Sequence, residues 1–292
     1  MFDFVGKRRY WFILSGILLT LALGAFVSNS VRHGKVMNFG IDFTGGTMVS
    51  LRFDQPITVQ QVRDVLAEHG LEQSVIQKSG KNDIYIRTEE IERDARVKII
   101  EELREKYGEV ILLEADTIGP VIGKELRTQA LWALLIASLG IILYVSFRFE
   151  FRYAVAALLA LYHDALITAG IIALLWRNIE IPFVAAILTI MGYSINDTIV
   201  IFDRVRENVK KLGGKKIKFA EIVNISIRET LARSINTVLT TVIVVLAVLF
   251  FGGETLKDFA LVLLIGFAIG AYSSIFIASP IVAAWEARGH KR

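Results

Sequence analysis

Six stretches of mostly apolar residues dominate the chain: Tyr10 to Ser28, Ala130 to Phe147, Tyr153 to Trp176, Ile181 to Phe202, Ser234 to Phe251 and Phe259 to Trp285. Each approaches the roughly 20 residues that an α-helix needs to cross a bilayer. The apolar residues gather in these runs instead of following one period through the chain, which predicts a polytopic α-helical membrane protein with six transmembrane helices. Only one long polar insert interrupts them, residues 29–127, and its pattern changes to alternating strand and helix signals. Thr47 to Phe53 is β-rich; Thr58 can cap a helix with Val62, Val65 and Leu66 on one face, and Gly70 can end it. Gln73 to Lys78 and Asp83 to Thr88 read as a hairpin around Ser79, Gly80, Lys81 and Asn82. Ile91, Ala95, Ile99 and Leu103 carry a second helix that Gly108 follows, and Val110 to Leu113 closes the series. The order β-α-β-β-α-β predicts a small α+β ferredoxin-like domain between helices 1 and 2.

Charge sets the orientation. Lys7, Arg8 and Arg9 precede the first span, Arg148 and Arg152 flank the turn between spans two and three, and Arg288, Lys291 and Arg292 end the chain. Arg204, Arg206, Lys210, Lys211, Lys215, Lys216, Lys218, Arg228 and Arg233 crowd the segment between spans four and five. The alternate short connections carry only Arg177 and Lys257, so both termini are expected in the cytoplasm and the insert outside. The expected layout is residues 1–28 as N-terminus and first helix, 29–127 as an extracytoplasmic domain, 128–286 as a five-helix bundle with a basic cytoplasmic loop near 204–233, and 287–292 as a cytoplasmic tail. The first span has a basic start, but it is long for a signal core and no A-x-A-like site follows, so it reads as a retained anchor. The formal net charge of +4 is mostly cytoplasmic-loop charge, suited to anionic lipid headgroups and poor evidence for nucleic-acid binding. With no cysteine, the external domain has no disulfides.

The chemistry inside the spans is the strongest functional signal. Asp197 sits in the apolar run IPFVAAILTIMGYSINDTIVIF, where an ionisable group costs roughly 2.5 to 3.5 kcal/mol on insertion scales and marks a functional site by default. Tyr193 and Asn196 share its helix side, with Thr198 beside it and Thr189 extending the stripe. Arg204 lies roughly two turns further on, which puts Asp197 about 10 Å inside the cytoplasmic interface. Arg233, Asn236, Thr237, Thr240 and Thr241 fall at i, i+3, i+4, i+7 and i+8 of span five, one helix face. A guanidinium beside a buried carboxylate favours its charged form while desolvation disfavours it, so a changing distance between Arg233 and Asp197 would drive proton uptake and release. Span three adds His163 and Asp164, with Thr168 one turn on, as an extension of the relay or as ties between helices. In span six Gly266, Gly270, Ser274 and Ala278 repeat every four residues, a stripe for close helix packing, with a partner helix in this chain or another.

Outside the spans, GIDFTGGT (Gly40 to Thr47) is distinctive: Gly45 and Gly46 permit positive φ or close approach, and Asp42 and Thr44 can bond local amides. It lacks the lysine of a phosphate loop and leads into a strand, so nucleotide binding is not expected. His69 reads as an exposed helix-end residue, and no metal-ligand or catalytic cluster is apparent.

Together, GIDFTGGT, HDALITAGI in span three, LTIMGYSINDTIVIFDRVREN across span four and ETLARSINTVLTT entering span five resemble the SecF family of bacterial protein-export membrane proteins, in order and over essentially the whole chain. That family is similar to one half of a transporter of the resistance-nodulation-division class. The resemblance implies a non-enzymatic subunit of the bacterial cytoplasmic (inner) membrane that pairs with SecD and assists the SecYEG channel. It would use the proton motive force after SecA has acted, with YajC and YidC as further partners and the translocating polypeptide as client. It also implies that the span-four carboxylate and span-five arginine, here Asp197 and Arg233, serve proton passage, and that no cofactor is needed. Two rivals stand beside it: an ion-coupled exporter of small molecules or lipids, and an intramembrane hydrolase built on Ser194 and His163. Against the latter, adjacent helical residues diverge by 100°, so Asp164 is not expected to orient His163. A passive scaffold, in which the buried polar groups only join helices, is the third reading.

Overall fold

The computed structural model describes residues 2–212 and 217–289; Lys215, Lys216, Lys291 and Arg292, used above for orientation, lie outside the described residues, as does the side chain of Arg288. In chain order the elements are α1 (Arg8–His33), β1 (Asn38–Phe39), α2 (Ile41–Thr44), β2 (Gly46–Phe53), α3 (Val59–Glu68), β3 (Val75–Ser79), β4 (Asp83–Thr88), α4 (Arg93–Tyr107) and β5 (Val110–Ile118). There follow α5 (Pro120–Arg148), α6 (Phe151–Leu174), β6 (Asn178–Ile179), α7 (Ile181–Leu212), α8 (Phe219–Phe251), α9 (Glu254–Ser273), a π-helical turn (Ser274–Ala278) and α10 (Ser279–Gly289). They form two compact units, residues 39–131 and residues 1–38 with 132–292.

The smaller unit is the expected four-stranded antiparallel sheet, in the order β3-β4-β2-β5. One face of β2 (Val49, Leu51, Phe53) and of β4 (Ile84, Ile86) packs on Val62, Val65 and Leu66 of α3 and Ile99, Ile100 and Leu103 of α4. A capping box starts α3: Gln61 N donates to the Thr58 hydroxyl while the Gln61 side chain accepts from Thr58 N. His69 is more than an exposed helix end, because its Nε2 meets Glu102 on α4 at 2.8 Å, and Lys106 bridges Glu68 and Glu102 at 2.6 Å each. The Lys106 ammonium, then His69, hold the Glu102 carboxyl down to about 2. The usual value is 4.5, so this tie is complete above that pH and is lost only as pH falls through about 2.

Two details depart from the sequence reading, and the glycine pair behaves as that reading expects. Ile41–Thr44 is a helical turn, and the Thr44 hydroxyl donates to the carbonyls of Gly40 and Gly45, not to amides. Gly46 has φ +119, and a Cβ there would collide with the Thr88 carbonyl, so the β2–β4 pairing demands glycine. β5 runs on to Ile118, past Leu113, with a register irregularity opposite Ser50/Leu51.

Six helical stretches are long and apolar enough to span a membrane: α1, α5, α6, α7, α8 and the segment Leu256–Glu286 that joins α9, the π-helical turn and α10. The chain is therefore a multi-pass membrane protein. α1 belongs to the bundle, because Gly170 of α6 lets the backbone of Ala22 approach so closely that a Cβ would collide with it. At the edge, α5 leaves Trp132, Leu135, Ile136, Leu139, Leu143 and Tyr144 exposed. The basic segment near 204–233 is mostly helical instead of a loop: α7 continues to Leu212 and α8 begins at Phe219. Arg204 on α7 pairs with Glu229 on α8 (2.6 Å), and Asn208 donates to Glu229 (2.6 Å) and to Ser226 (3.0 Å). These bonds let both helices run past the apolar region.

Gly170→Ala is expected to destabilise the bundle by about 1–3 kcal/mol through overpacking against Ala22. Gly140→Ala, which meets open space, should be neutral or slightly stabilising. Thermal unfolding of the two variants in one detergent checks the contrast.

Candidate functional site

The polar groups of the membrane unit sort into a closed cluster and an open one. The closed cluster surrounds Asp164, which is 1% exposed. Its Oδ2 accepts hydrogen bonds from Ser194 on α7 and Ser273 on α9, each at 2.7 Å, and its Oδ1 lies 3.0 Å from His163 Nδ1. His163 Nε2 lies 3.0 Å from the Ser15 hydroxyl on α1, which is 3.1 Å from the Tyr272 hydroxyl; Tyr272 donates to the carbonyl of Trp11 at 2.9 Å. Three helices meet on one carboxylate, and His163 carries the network to a fourth, α1.

The donor directions follow from the last link. Tyr272 has one proton and Trp11 O can only accept, so Ser15 must donate to Tyr272, and Nε2–H of His163 must donate to Ser15. One proton then lies between His163 Nδ1 and Asp164 Oδ1, whichever atom carries it, and the pair has no net charge. The expectation that Asp164 does not orient His163 was wrong: the imidazole is long enough to bridge the 100° between the two Cβ directions. Ser194 is bonded to Asp164, not to His163, so the nucleophile–base contact of the hydrolase reading is not formed.

Small residues make the cluster possible. A Cβ at Gly266 would collide with Ile190, and one at Gly270 would stand 3.0 Å from Ser194 Cβ, so α7 and α9 touch along the glycine stripe. The stripe's partner is a helix of this same chain. Ser274 continues it chemically: its hydroxyl is 2.8 Å from Thr198 Oγ1 and 3.0 Å from Gly270 O, while Ser279 Oγ donates to Ser274 O at 2.9 Å. That last bond ties the start of the π-helical turn, Ser274–Ala278, to the first residue of α10.

The open cluster surrounds Asp197, 8% exposed. Ser234 of α8 donates to its Oδ1 at 2.6 Å, and its Oδ2 has no hydrogen-bond partner among the described residues. Arg233 is exposed and, among the described residues, forms no ion pair with Asp197, which it attracts only at a distance. The expected contact between the two charges belongs instead to the next residue, Ser234. The span-five stripe also faces outward: Asn236, Thr237 and Thr240 are exposed, and Thr237, Thr240 and Thr241 donate to carbonyls of their own helix. On α7, Thr189 and Asn196 are exposed, and Tyr193 packs its ring 4.4 Å from that of Phe267. In the smaller unit, Asp42, Gly45 and Gly46 lie around α2, apart from these groups in sequence. Among the described residues no group of three or more His, Asp or Glu side chains is placed to hold a metal ion.

Two family models match the chain: "Protein export membrane protein SecD/SecF, C-terminal" over residues 98–288, and "SecD/SecF GG Motif" over residues 34–57. The protein translocase subunit SecF of Desulfurispirillum indicum is 44% identical over 98% of this chain and 92% of its own length. That of Sebaldella termitidis is 41% identical over 94% and 89%. The chain belongs to the SecF family. SecDF proteins also match: a crystal structure of SecDF, a translocon-associated membrane protein from Thermus thermophilus, superposes with TM-score 0.89 at 39% identity, over 98% of this chain. A crystal structure of SecDF in a super-membrane-facing form superposes with TM-score 0.71 at 40% identity over 99% of this chain. The chain spans 39% of the length of each of those SecDF chains. SecF membership accounts for the order of the motifs, including the glycine pair at 45–46 and the Asp197 and Arg233 segments.

Ser234, Ser273, Ser15 and Tyr272 escaped the sequence reading, since single hydroxyls in apolar helices usually bond their own backbone. The adjacent Ser273 and Ser274 were the one available sign. Nitrogen NMR of His163, assigned by its loss in His163→Gln, should show Nε2 carrying a proton throughout the range in which the protein is folded. A bare Nε2 would contradict the donor order. Ser194→Ala should cost about 0.6–1.7 kcal/mol of bundle stability, read from thermal unfolding.

Proposed function

We propose that this chain is the SecF half of a SecD–SecF assembly that uses the proton motive force to promote polypeptide export through SecYEG, and that Asp197 is its proton-exchanging group. One observation carries the reading: of the buried carboxylates described in the membrane unit, Asp164 is fully bonded and neutralised within the chain, while Asp197 keeps one oxygen without a hydrogen-bond partner and forms no ion pair among the described residues. A satisfied carboxylate is a structural tie. A half-satisfied one can take and release a proton as Arg233 or a neighbouring helix approaches and withdraws.

The exposed Arg233 and Asn236 on α8 and Asn196 on α7 flank the Asp197–Ser234 bond, and lipid cannot satisfy them. A protein partner therefore covers this face. SecD fits, since relatives of Thermus thermophilus and Bacillus subtilis named SecDF carry this chain's counterpart within one longer polypeptide. The proposed topology has both termini in the cytoplasm and the domain between α1 and α5 outside, where it engages the emerging polypeptide; the basic ends of α7 and α8 then face anionic headgroups. Each proton that crosses supplies about 2.3 kcal/mol per 100 mV, enough to bias a conformational equilibrium by more than tenfold.

Asp197→Asn should abolish the component of export that depends on an imposed proton gradient in reconstituted vesicles. The SecA-driven component, folding and co-purification with SecD should persist. Normal gradient-dependent export by that variant would refute the relay, and the same assay separates this reading from a passive scaffold.

A further inference from the structure

Two buried side-chain oxygens of α7 have no hydrogen-bond partner among the described residues: Asp197 Oδ2 and Tyr193 Oη. The two residues share one face of the helix, four positions and about 6 Å apart along its axis. In the proposed topology Tyr193 lies on the outer side of Asp197, toward the Ile181 end of α7.

The hydroxyls around this pair are committed elsewhere. Thr189 on α7 donates to Ala185 O (2.8 Å), and on α8 Thr237, Thr240 and Thr241 donate to carbonyls of their own helix. A threonine hydroxyl sits close enough to its own backbone to be satisfied there, whereas the tyrosine hydroxyl stands at the end of a rigid ring and cannot turn back. That ring is held against Phe267 of α9, with 4.4 Å between centroids. Its oxygen stands beside Thr241 without a hydrogen bond to it, and within electrostatic reach of Asp197. A buried polar atom without a bond costs stability, and it persists where it serves a function or where water completes it.

We propose that Tyr193 is the relay residue that passes protons to Asp197 from the outer half of the membrane, its hydroxyl and Asp197 Oδ2 being linked through water. The proposal rests on the reading of Asp197 as the proton-exchanging group, and adds the residue through which that group is loaded. A phenol hydroxyl is both donor and acceptor. Its oxygen accepts a proton from water on the outer side while its own proton passes to water on the Asp197 side, so the tyrosine ends neutral, as it began. The O–H then turns back for the next transfer. Asp197 gains the proton at Oδ2, the oxygen that Ser234 leaves open. Phenylalanine would fill the same space against Phe267 and interrupt the thread.

Tyr193→Phe separates relay from packing, because it deletes only the hydroxyl. In vesicles holding the complex with SecD, gradient-driven export and proton uptake from the outer side should both fall by at least about tenfold. Thermal unfolding should not move down, since the hydroxyl has no protein bond to lose. The infrared carbonyl band of protonated Asp197, identified by its loss in Asp197→Asn, should shift, because the water at Oδ2 loses its partner. Normal gradient-driven export by Tyr193→Phe, or an unshifted Asp197 band, would overturn the relay. A lower unfolding temperature, or weakened co-purification with SecD, would give the hydroxyl a structural partner and overturn it too. If Asp197→Asn keeps gradient-driven export, the underlying reading falls and the relay with it. Loss of that export in Asp197→Asn, with normal export in Tyr193→Phe, removes the relay alone.

Discussion

Everything in the membrane unit answers to the cost of placing an ionisable group where no water can solvate it. A carboxylate in the bilayer interior is tolerated when the protein supplies the hydrogen bonds and counter-charge that water would have supplied. Asp164 meets that requirement in full: two serines and a histidine from α6, α7 and α9 surround it, and the histidine extends the network to α1. The proton shared with His163 removes the net charge. What remains is a neutral polar centre that fixes four helices in register, something apolar side chains packed in apolar lipid do poorly because lipid tails compete equally for such contacts.

Asp197 meets the same requirement only in part, and the proposed division into structural tie and proton-exchanging group rests on that difference. Ser234 satisfies one oxygen, and Arg233 and Asn236 of α8 and Asn196 of α7 lie exposed beside it. Under the proposed function, protonation of this half-satisfied group is what shifts the balance between two arrangements of the helices. The glycines of α9 and the π-helical turn serve the arrangement from behind, bringing Ser194, Thr198 and Ser274 within bonding distance while Ser279 donates to the Ser274 carbonyl. On the side of Ile201 and Val205, Phe4 and Val5 pack against α7 and α8, while Asn208 bonds Ser226 and Glu229 across the same two helices.

Much of this was legible beforehand. The six spans followed from the length of the apolar runs, and the ferredoxin-like order of strands from alternating patterns and turn residues, because both are local consequences of side-chain spacing. Asp197 stood out because charge inside an apolar run is rare. The Asp164–His163 bond did not, since helical geometry separates adjacent residues and only the particular rotamers close the gap. Arg233 looked like the partner of Asp197 by spacing, yet one residue of helix rotation gives that place to Ser234. The segment near 204–233 looked like a loop because it is charged; it is largely helix because those charges pair across α7 and α8.

The sequence by itself determined which segments enter the membrane, which residues are charged within it and which positions lack a side chain, because hydrophobicity, charge and size are properties of single residues and their spacing. Only the tertiary structure decided which hydroxyl meets which carboxylate, that one acid is closed and the other open, and that Phe4 and Val5 fill the groove near Ile201. Those outcomes depend on the rotation and depth of helices far apart in the chain, and an ångström or one residue of rotation exchanges one partner for another.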